Sequence, residues 1–257
     1  MKEELRQLLR EAGDIMLSAK EIEKAVSAKE GNANFVTAYD VQVQKLLRRR
    51  LLELRPGAHF VGEEDEARDD ALHGEAFIVD PIDGTTNFIC HLHTSAVSVA
   101  MLREGEPVLA ATYDPYRQEF YYAEKGKGAT CNNQPICVSQ KELKDSLVFC
   151  GTAPYYPEVA DRTFLLARWL WDEALDLRRY GSAVIELCLV ARGCAGLMYE
   201  MKLSPWDYAA AGLILTEAGG KISQISGEPL TYDRPCSVVA GNPKAYDTFF
   251  RKELGKF

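Results

Sequence analysis

The nine residues Asp80-Pro81-Ile82-Asp83-Gly84-Thr85-Thr86-Asn87-Phe88 carry the densest chemistry in the chain. Asp80 closes the apolar run Ala76-Phe77-Ile78-Val79, so a strand would set one carboxylate on a rigid element. Pro81 lacks an N–H and biases Asp80 toward extended backbone. A turn after it would bring the Asp80 and Asp83 side chains and the Ile82 carbonyl to one locus. Oxygen donors of this kind suit hard divalent cations, Mg²⁺ or Mn²⁺. Gly84 permits a tight turn, and Thr85 and Thr86 then present backbone N–H groups at a predicted helix N-terminus, a natural seat for phosphate. A cation site beside an anion seat points to phosphoryl chemistry. The competing reading is a plain turn and helix cap, against which stand the full nine-residue string and the carboxylates supplied elsewhere in the chain.

The elements that must position these groups are legible from periodicity. Leu5, Leu8, Leu9, Ala12, Ile15, Met16 and Ala19 recur at helical spacing. A second helix is expected over 40–54, with Val43, Leu46, Leu47, Leu51 and Leu54 on one side and Pro56-Gly57 ending it. Short apolar runs at 59–62 and 76–80 read as strands, and alternating segments at 96–101, 108–113 and 119–123 as a meander. Helices are expected over 163–173, from Gly181-Ser182 toward Cys194, from Pro205-Trp206-Asp207 to Thr216, and from Pro243. Strands are expected at 196–200 and 236–240. Trp169 and Trp171, two apart on a helix, cannot share a face. No repeat or low-complexity linker appears, so 1–257 reads as a single domain, with two structural halves, about 1–145 and 146–257.

The 257 residues include 38 Asp+Glu against 30 Lys+Arg, a formal net charge of −8, with 47% hydrophobic residues. That composition excludes a largely disordered chain, and no run reaches the roughly 18–20 apolar residues of a membrane helix. The Met1-Lys-Glu-Glu start has no apolar signal core, so the cytoplasm is the expected compartment. An acidic excess argues against nucleic acid as a partner. The seven cysteines are odd in number and form no C-x-x-C pair, which reads as free thiols; Cys90-His91-Leu92-His93 has no second ligand pair to complete a zinc site.

The motif around Asp80 resembles the signature of the inositol monophosphatase family, within the lithium-sensitive, Mg²⁺-dependent sugar phosphatases. Trp206-Asp207-Tyr208-Ala-Ala-Ala-Gly212 followed by Leu215-Thr216-Glu217-Ala218-Gly219-Gly220 resembles the family's C-terminal pattern. Val36-Thr37-Ala38-Tyr39-Asp40 and Val61-Gly62-Glu63-Glu64 match in the family's order. A haloacid-dehalogenase-type phosphatase also shows Asp-Gly-Thr after a strand, but there one residue separates the paired Asp residues, whereas Pro81 and Ile82 intervene here.

The resemblance implies an α+β chain with the layered αβαβα sugar-phosphatase fold, and a homodimer. It implies two or three Mg²⁺ ions: Glu63, Asp80 and the Ile82 carbonyl on a first, and Asp80, Asp83 and Asp207 on a second. A third, weaker site lies near Glu63 and the loop that carries Lys29. Thr85 with Asp40 would orient and help deprotonate the attacking water, and the Gly84 and Thr85 amides would bind phosphate oxygens. Glu200 and the Ala183 amide fall where inositol-specific members contact the substrate ring. Two departures stand out. Asn34 replaces an Asp common before the Val-Thr pair, and Cys90 and His93 replace a His and a Pro beyond the ligands, where an effect on local packing is expected.

The bottom-up chemistry agrees, because a phosphate monoester dianion needs cations to screen it and to acidify water, and no Ser-His-Asp or Cys-His set is compelling. The expected activity is hydrolysis of myo-inositol monophosphate or a related small phosphorylated polyol or sugar. Fructose 1,6-bisphosphate, histidinol phosphate and phosphoadenosine phosphate are alternatives within the superfamily. A protein-binding regulatory role is the non-enzymatic alternative, since a bacterial relative is linked to transcription machinery.

Overall fold

The computed structural model describes residues 1–22, 26–28, 35–65 and 69–254. Helix α1 (Lys2–Leu17) buries Leu5, Leu8, Leu9, Ala12 and Met16, the stripe expected from its spacing. A small antiparallel hairpin, β1 (Val26–Ala28) and β2 (Phe35–Thr37), leads into α2 (Ala38–Leu54). That helix starts two residues earlier than its apolar pattern indicated, because Thr37 is its cap. The Thr37 hydroxyl accepts from Tyr39 N at 3.1 Å and Asp40 N at 3.3 Å, and Asp40 Oδ2 accepts from Thr37 N at 2.8 Å.

A seven-stranded sheet follows: β3 (His59–Gly62), β4 (Glu75–Asp83), β5 (Ala96–Arg103), β6 (Glu106–Asp114), β7 (Glu119–Glu124), β8 (Ala129–Cys131) and β9 (Gln134–Pro135), side by side in chain order. Only β3 and β4 run parallel within it. A five-stranded sheet has the order β11 (Asp176–Arg178), β10 (Leu147–Cys150), β12 (Leu197–Leu203), β14 (Cys236–Gly241), β13 (Lys221–Ser223). The remaining helices are α3 (Thr85–Ile89), α4 (Ala160–Glu173), α5 (Ala183–Ala191), α6 (Pro205–Glu217) and α7 (Pro243–Arg251).

Three apolar clusters order these elements into layers. The first joins Leu5, Leu9, Val43 and Leu47 of α1 and α2 to Phe77, Val79, Val97 and Val99 on one face of the large sheet. The second packs Val184 and Leu187 of α5 and Ala210 and Ile214 of α6 between Ile78 and Ala100 of that sheet and Met198 and Val238 of the other. The third sets Leu166 and Leu170 of α4 and Phe249 of α7 against Tyr199 and Val239. The result is the αβαβα layering. Helix α6 is buried on nearly every side, which is why it reads as continuously apolar rather than amphipathic. Trp169 packs against the third cluster while Trp171 is 61% exposed, so the two do occupy different faces. No described helix is long and apolar enough to cross a membrane.

Strand β4 departs from the expected turn after Asp80. It continues through Pro81 to Asp83, and its pairing with β5 shifts between Asp80↔Ser98 and Asp83↔Ala96. Three steps on β4 thus oppose two on β5, the signature of a bulge, placed where Pro81 has no N–H to donate. In a regular strand residues three apart face opposite ways; the extra residue brings Asp80 and Asp83 to one side.

In the small sheet, Gly241 leaves no room for a side chain, since a Cβ there would lie 2.6 Å from the Gly196 carbonyl oxygen. Gly241→Ala is expected to destabilise the fold by about 1–3 kcal/mol, read as a lower urea midpoint with an unchanged slope.

Candidate active site

Six elements meet at one cavity of about 250 Å³. The bulged end of β4 supplies Asp80, Ile82 and Asp83, the turn after β3 supplies Glu63, and the first turn of α6 supplies Asp207. Gly84 and Thr85 open α3, Ala183 opens α5, and Glu200 projects from β12. Gly84 sits at φ 82°, and a Cβ there would approach the Thr94 carbonyl at 3.0 Å, so the tight turn inferred from its type is real.

Carboxylate oxygens of Asp80, Asp83 and Asp207 lie within 4.8 Å of one another. Asp80 and Asp83 are buried, and Glu63 is in hydrogen-bonding contact with Asp80. Burial pushes the Asp80 carboxyl well up, reinforced by the charges of Glu63, Asp83 and Asp207. Burial likewise drives Asp207 up, with Asp83 and Glu63 adding to the shift. Asp83 rises to about 7 through burial, held back by hydrogen bonds from Ser182 and Val184. Glu200 rises to about 8 for the same primary reason, moderated by the Ala153 amide. Six acidic groups, Glu186 among them, line this space, and among the described lining residues only Arg179 carries a compensating charge.

Asp207 also caps α6, accepting from Ser204 N at 2.7 Å, so the capping and site roles coexist in one side chain. Asp40 does the same for α2 and in addition accepts from Thr85 Oγ1 at 3.3 Å through its other oxygen. Thr85 Oγ1 also lies 3.1 Å from the Ile82 carbonyl. Glu200 Oε1 accepts from Ala153 N at 2.8 Å, and a Cβ on Gly151 would lie 2.2 Å from the Glu200 carboxyl, so a larger residue there would push that side chain aside. Lys29 and Asn34 lie outside the described residues. His93 stacks on Tyr116 at 4.9 Å, a packing role consistent with its place beyond the cluster.

The site also holds residues that sequence reasoning passed over. Ser182 was legible only as a helix opener; its hydroxyl donates to Asp83 Oδ2, and Val184 N donates to the same oxygen at 3.1 Å. Asn87 Nδ2 donates to Thr94 O at 2.8 Å and Tyr180 O at 2.7 Å, tying α3 to the turn before α5. Tyr155, Arg179 and Glu186 line the cavity. A Ser directly before the apolar run of α5 is a recognisable cap signal, but its second partner lies 99 residues away.

The model of the inositol monophosphatase family matches residues 1–256. The chain belongs to that family. It is 32% identical to Inositol-1-monophosphatase of Bacillus subtilis, over 96% of this chain and 93% of that protein. The crystal structure of extragenic suppressor protein suhB from Bartonella henselae superposes with a TM-score of 0.89 at 30% identity, covering 99% of this chain and 96% of that one. Staphylococcal IMPase-II bound to 2′-AMP matches at 28% identity and TM-score 0.84, covering 99% and 93% of the two chains. Family membership makes the protein a phosphoric monoester hydrolase with the αβαβα fold, as the four motifs implied.

The raised carboxyls set a pH dependence. Their folded-state pKa values, about 7 for Asp83 and about 8 for Glu200, exceed the roughly 4 of an unfolded chain. Between those values the folded form holds more protons, so stability falls as pH rises. The thermal midpoint of protein stripped of divalent cations is expected to drop between pH 5 and 8. Asp83→Asn should flatten that slope in parallel thermal scans.

Proposed function

We propose that the chain hydrolyses myo-inositol monophosphate to inositol and phosphate with Mg²⁺ as cofactor. The observation that carries this reading is the cluster of Asp80, Asp83 and Asp207 oxygens within 4.8 Å, at the bulged end of a strand and directly before the Gly84–Thr85 turn. The donor set fits a hard divalent ion: it is all oxygen, and it is electrostatically unfavourable without a cation. Asp80, Glu63 and the Ile82 carbonyl would hold one Mg²⁺, and Asp80, Asp83 and Asp207 a second; a third would lie near Glu63. Bound there, Mg²⁺ supplies charge screening for the phosphate dianion and acidification of a water nucleophile.

The protein's own groups do the rest. Thr85 Oγ1 donates to Asp40 Oδ1, which leaves the threonine oxygen free to accept from the attacking water and passes the developing proton toward a buried carboxylate. The Gly84 and Thr85 amides hold phosphate oxygens at the start of α3. Ser182 and Val184 keep Asp83 from rotating away. Glu200 and the Ala183 amide meet the polyol hydroxyls; a glutamic acid titrating near 8 can donate as well as accept there.

The staphylococcal complex with 2′-AMP favours a nucleoside monophosphate as a second candidate substrate, from which the nucleoside would leave. A phosphate-release panel over inositol 1-phosphate, fructose 1,6-bisphosphate, histidinol phosphate, phosphoadenosine phosphate and 2′-AMP ranks these by kcat/KM, with inositol 1-phosphate expected first. Asp80→Asn is expected to lower kcat by about a hundredfold or more while its far-UV spectrum stays native. Added Li⁺ should inhibit the wild type at saturating Mg²⁺; insensitivity to Li⁺ would count against the inositol phosphatase reading.

A further inference from the structure

Glu186 is a buried carboxyl that the hydrolytic reading does not use. It sits in the first turn of α5, 1% exposed, at the edge of the same cavity. Its Oε1 accepts two backbone N–H groups, Tyr180 N at 2.6 Å and Gly181 N at 3.1 Å. The carbonyls of those same two residues are held from the other side by Asn87 Nδ2, at 2.7 and 3.2 Å. The turn 180–181 is therefore clamped between α5 and α3, with Gly181 at φ 75° where only glycine is unstrained. The next residue is Ser182, whose hydroxyl donates to Asp83 Oδ2. Ser182 Oγ also accepts from Ile185 N at 3.2 Å, which orients its proton away from the helix and onto Asp83.

We infer that Glu186 is a positioning residue for divalent-cation binding: it pins the 180–181 turn so that Ser182 and Val184 hold Asp83 in the rotamer the ion requires. The inference rests on Asp83 being a metal ligand, as proposed above. The carboxyl acts here by accepting two amides, a role that an uncharged amide oxygen can also fill. A role confined to the N-terminus of α5, where an acidic group favours the helix dipole, would change stability without changing affinity for the ion.

The test is calorimetric Mg²⁺ titration of cation-stripped protein, paired with the Mg²⁺-dependent rise in thermal midpoint. Glu186→Gln keeps an acceptor oxygen and should bind Mg²⁺ within about threefold of wild type. Glu186→Ala removes it and should weaken Mg²⁺ by about tenfold or more, the range seen when groups that orient metal ligands are lost. Glu186→Asp retains the charge but falls short of the turn, and should resemble the alanine variant; it also serves if Glu186→Ala does not fold. Wild-type affinity in Glu186→Ala or Glu186→Asp overturns the inference, as does a Glu186→Gln protein as weak as Glu186→Ala. If the wild type itself gains neither heat nor stability from Mg²⁺, the metal reading of the whole site fails, and this inference with it.

Discussion

Six carboxyl groups, those of Glu63, Asp80, Asp83, Glu186, Glu200 and Asp207, line one cavity in which Arg179 is the only cationic lining residue among the described residues. Two like charges about 4 Å apart repel by roughly 4 kcal/mol at the effective dielectric of a protein. Without a cation, such a cluster survives only by retaining protons, and burial raises the carboxyls of Asp80, Asp83, Glu186, Glu200 and Asp207 accordingly. The rest of the structure is arranged to keep these groups together despite that cost.

Each acidic side chain is held by an element that has its own reason to exist. The β4 bulge at Pro81 turns Asp80 and Asp83 to the same side. Asp207 and Asp40 are fixed by the caps of α6 and α2, so helix formation itself sets their position. The middle apolar layer presses α5 and α6 between the two sheets and carries Ser182 to Asp83 and Asp207 to Asp80. Folding energy from apolar burial thus holds an electrostatically strained site.

Much of this was legible before the coordinates. The string 80–88 contains the ligand types, the turn and the anion seat in a single stretch, and local spacing carries that information. The amphipathic α1 and α2 follow from periodicity, and the start of α6 from Pro205-Trp206-Asp207, whereas periodicity does not show the Thr37 cap that begins α2 two residues early. Other parts were not legible, for physical reasons. Strands β8, β9, β11 and β13 span only two or three residues each, too short for alternation to show, and pairing partners rather than propensity make them strands. The turn expected after Asp80 is an extended bulge, because Pro81 signals lost hydrogen bonding but does not say whether the chain bends or skips a pair. Ser182, Asn87 and Glu186 act through partners in other elements, and contacts such as Ser182–Asp83 across 99 residues leave no local pattern. The position of Glu200 was read from resemblance alone; the Gly151 and Ala153 backbone that embraces it arises from the small sheet.

We propose that the buried carboxylates are assembled to hold divalent cations. Anomalous scattering from crystals of this protein soaked in Mn²⁺ tests it most directly. At least one strong peak is expected within about 2.0–2.6 Å of oxygens from Asp80, Asp83 and Asp207. Crystals that diffract well and show no peak there at millimolar Mn²⁺, or only peaks on other carboxylates, would contradict it.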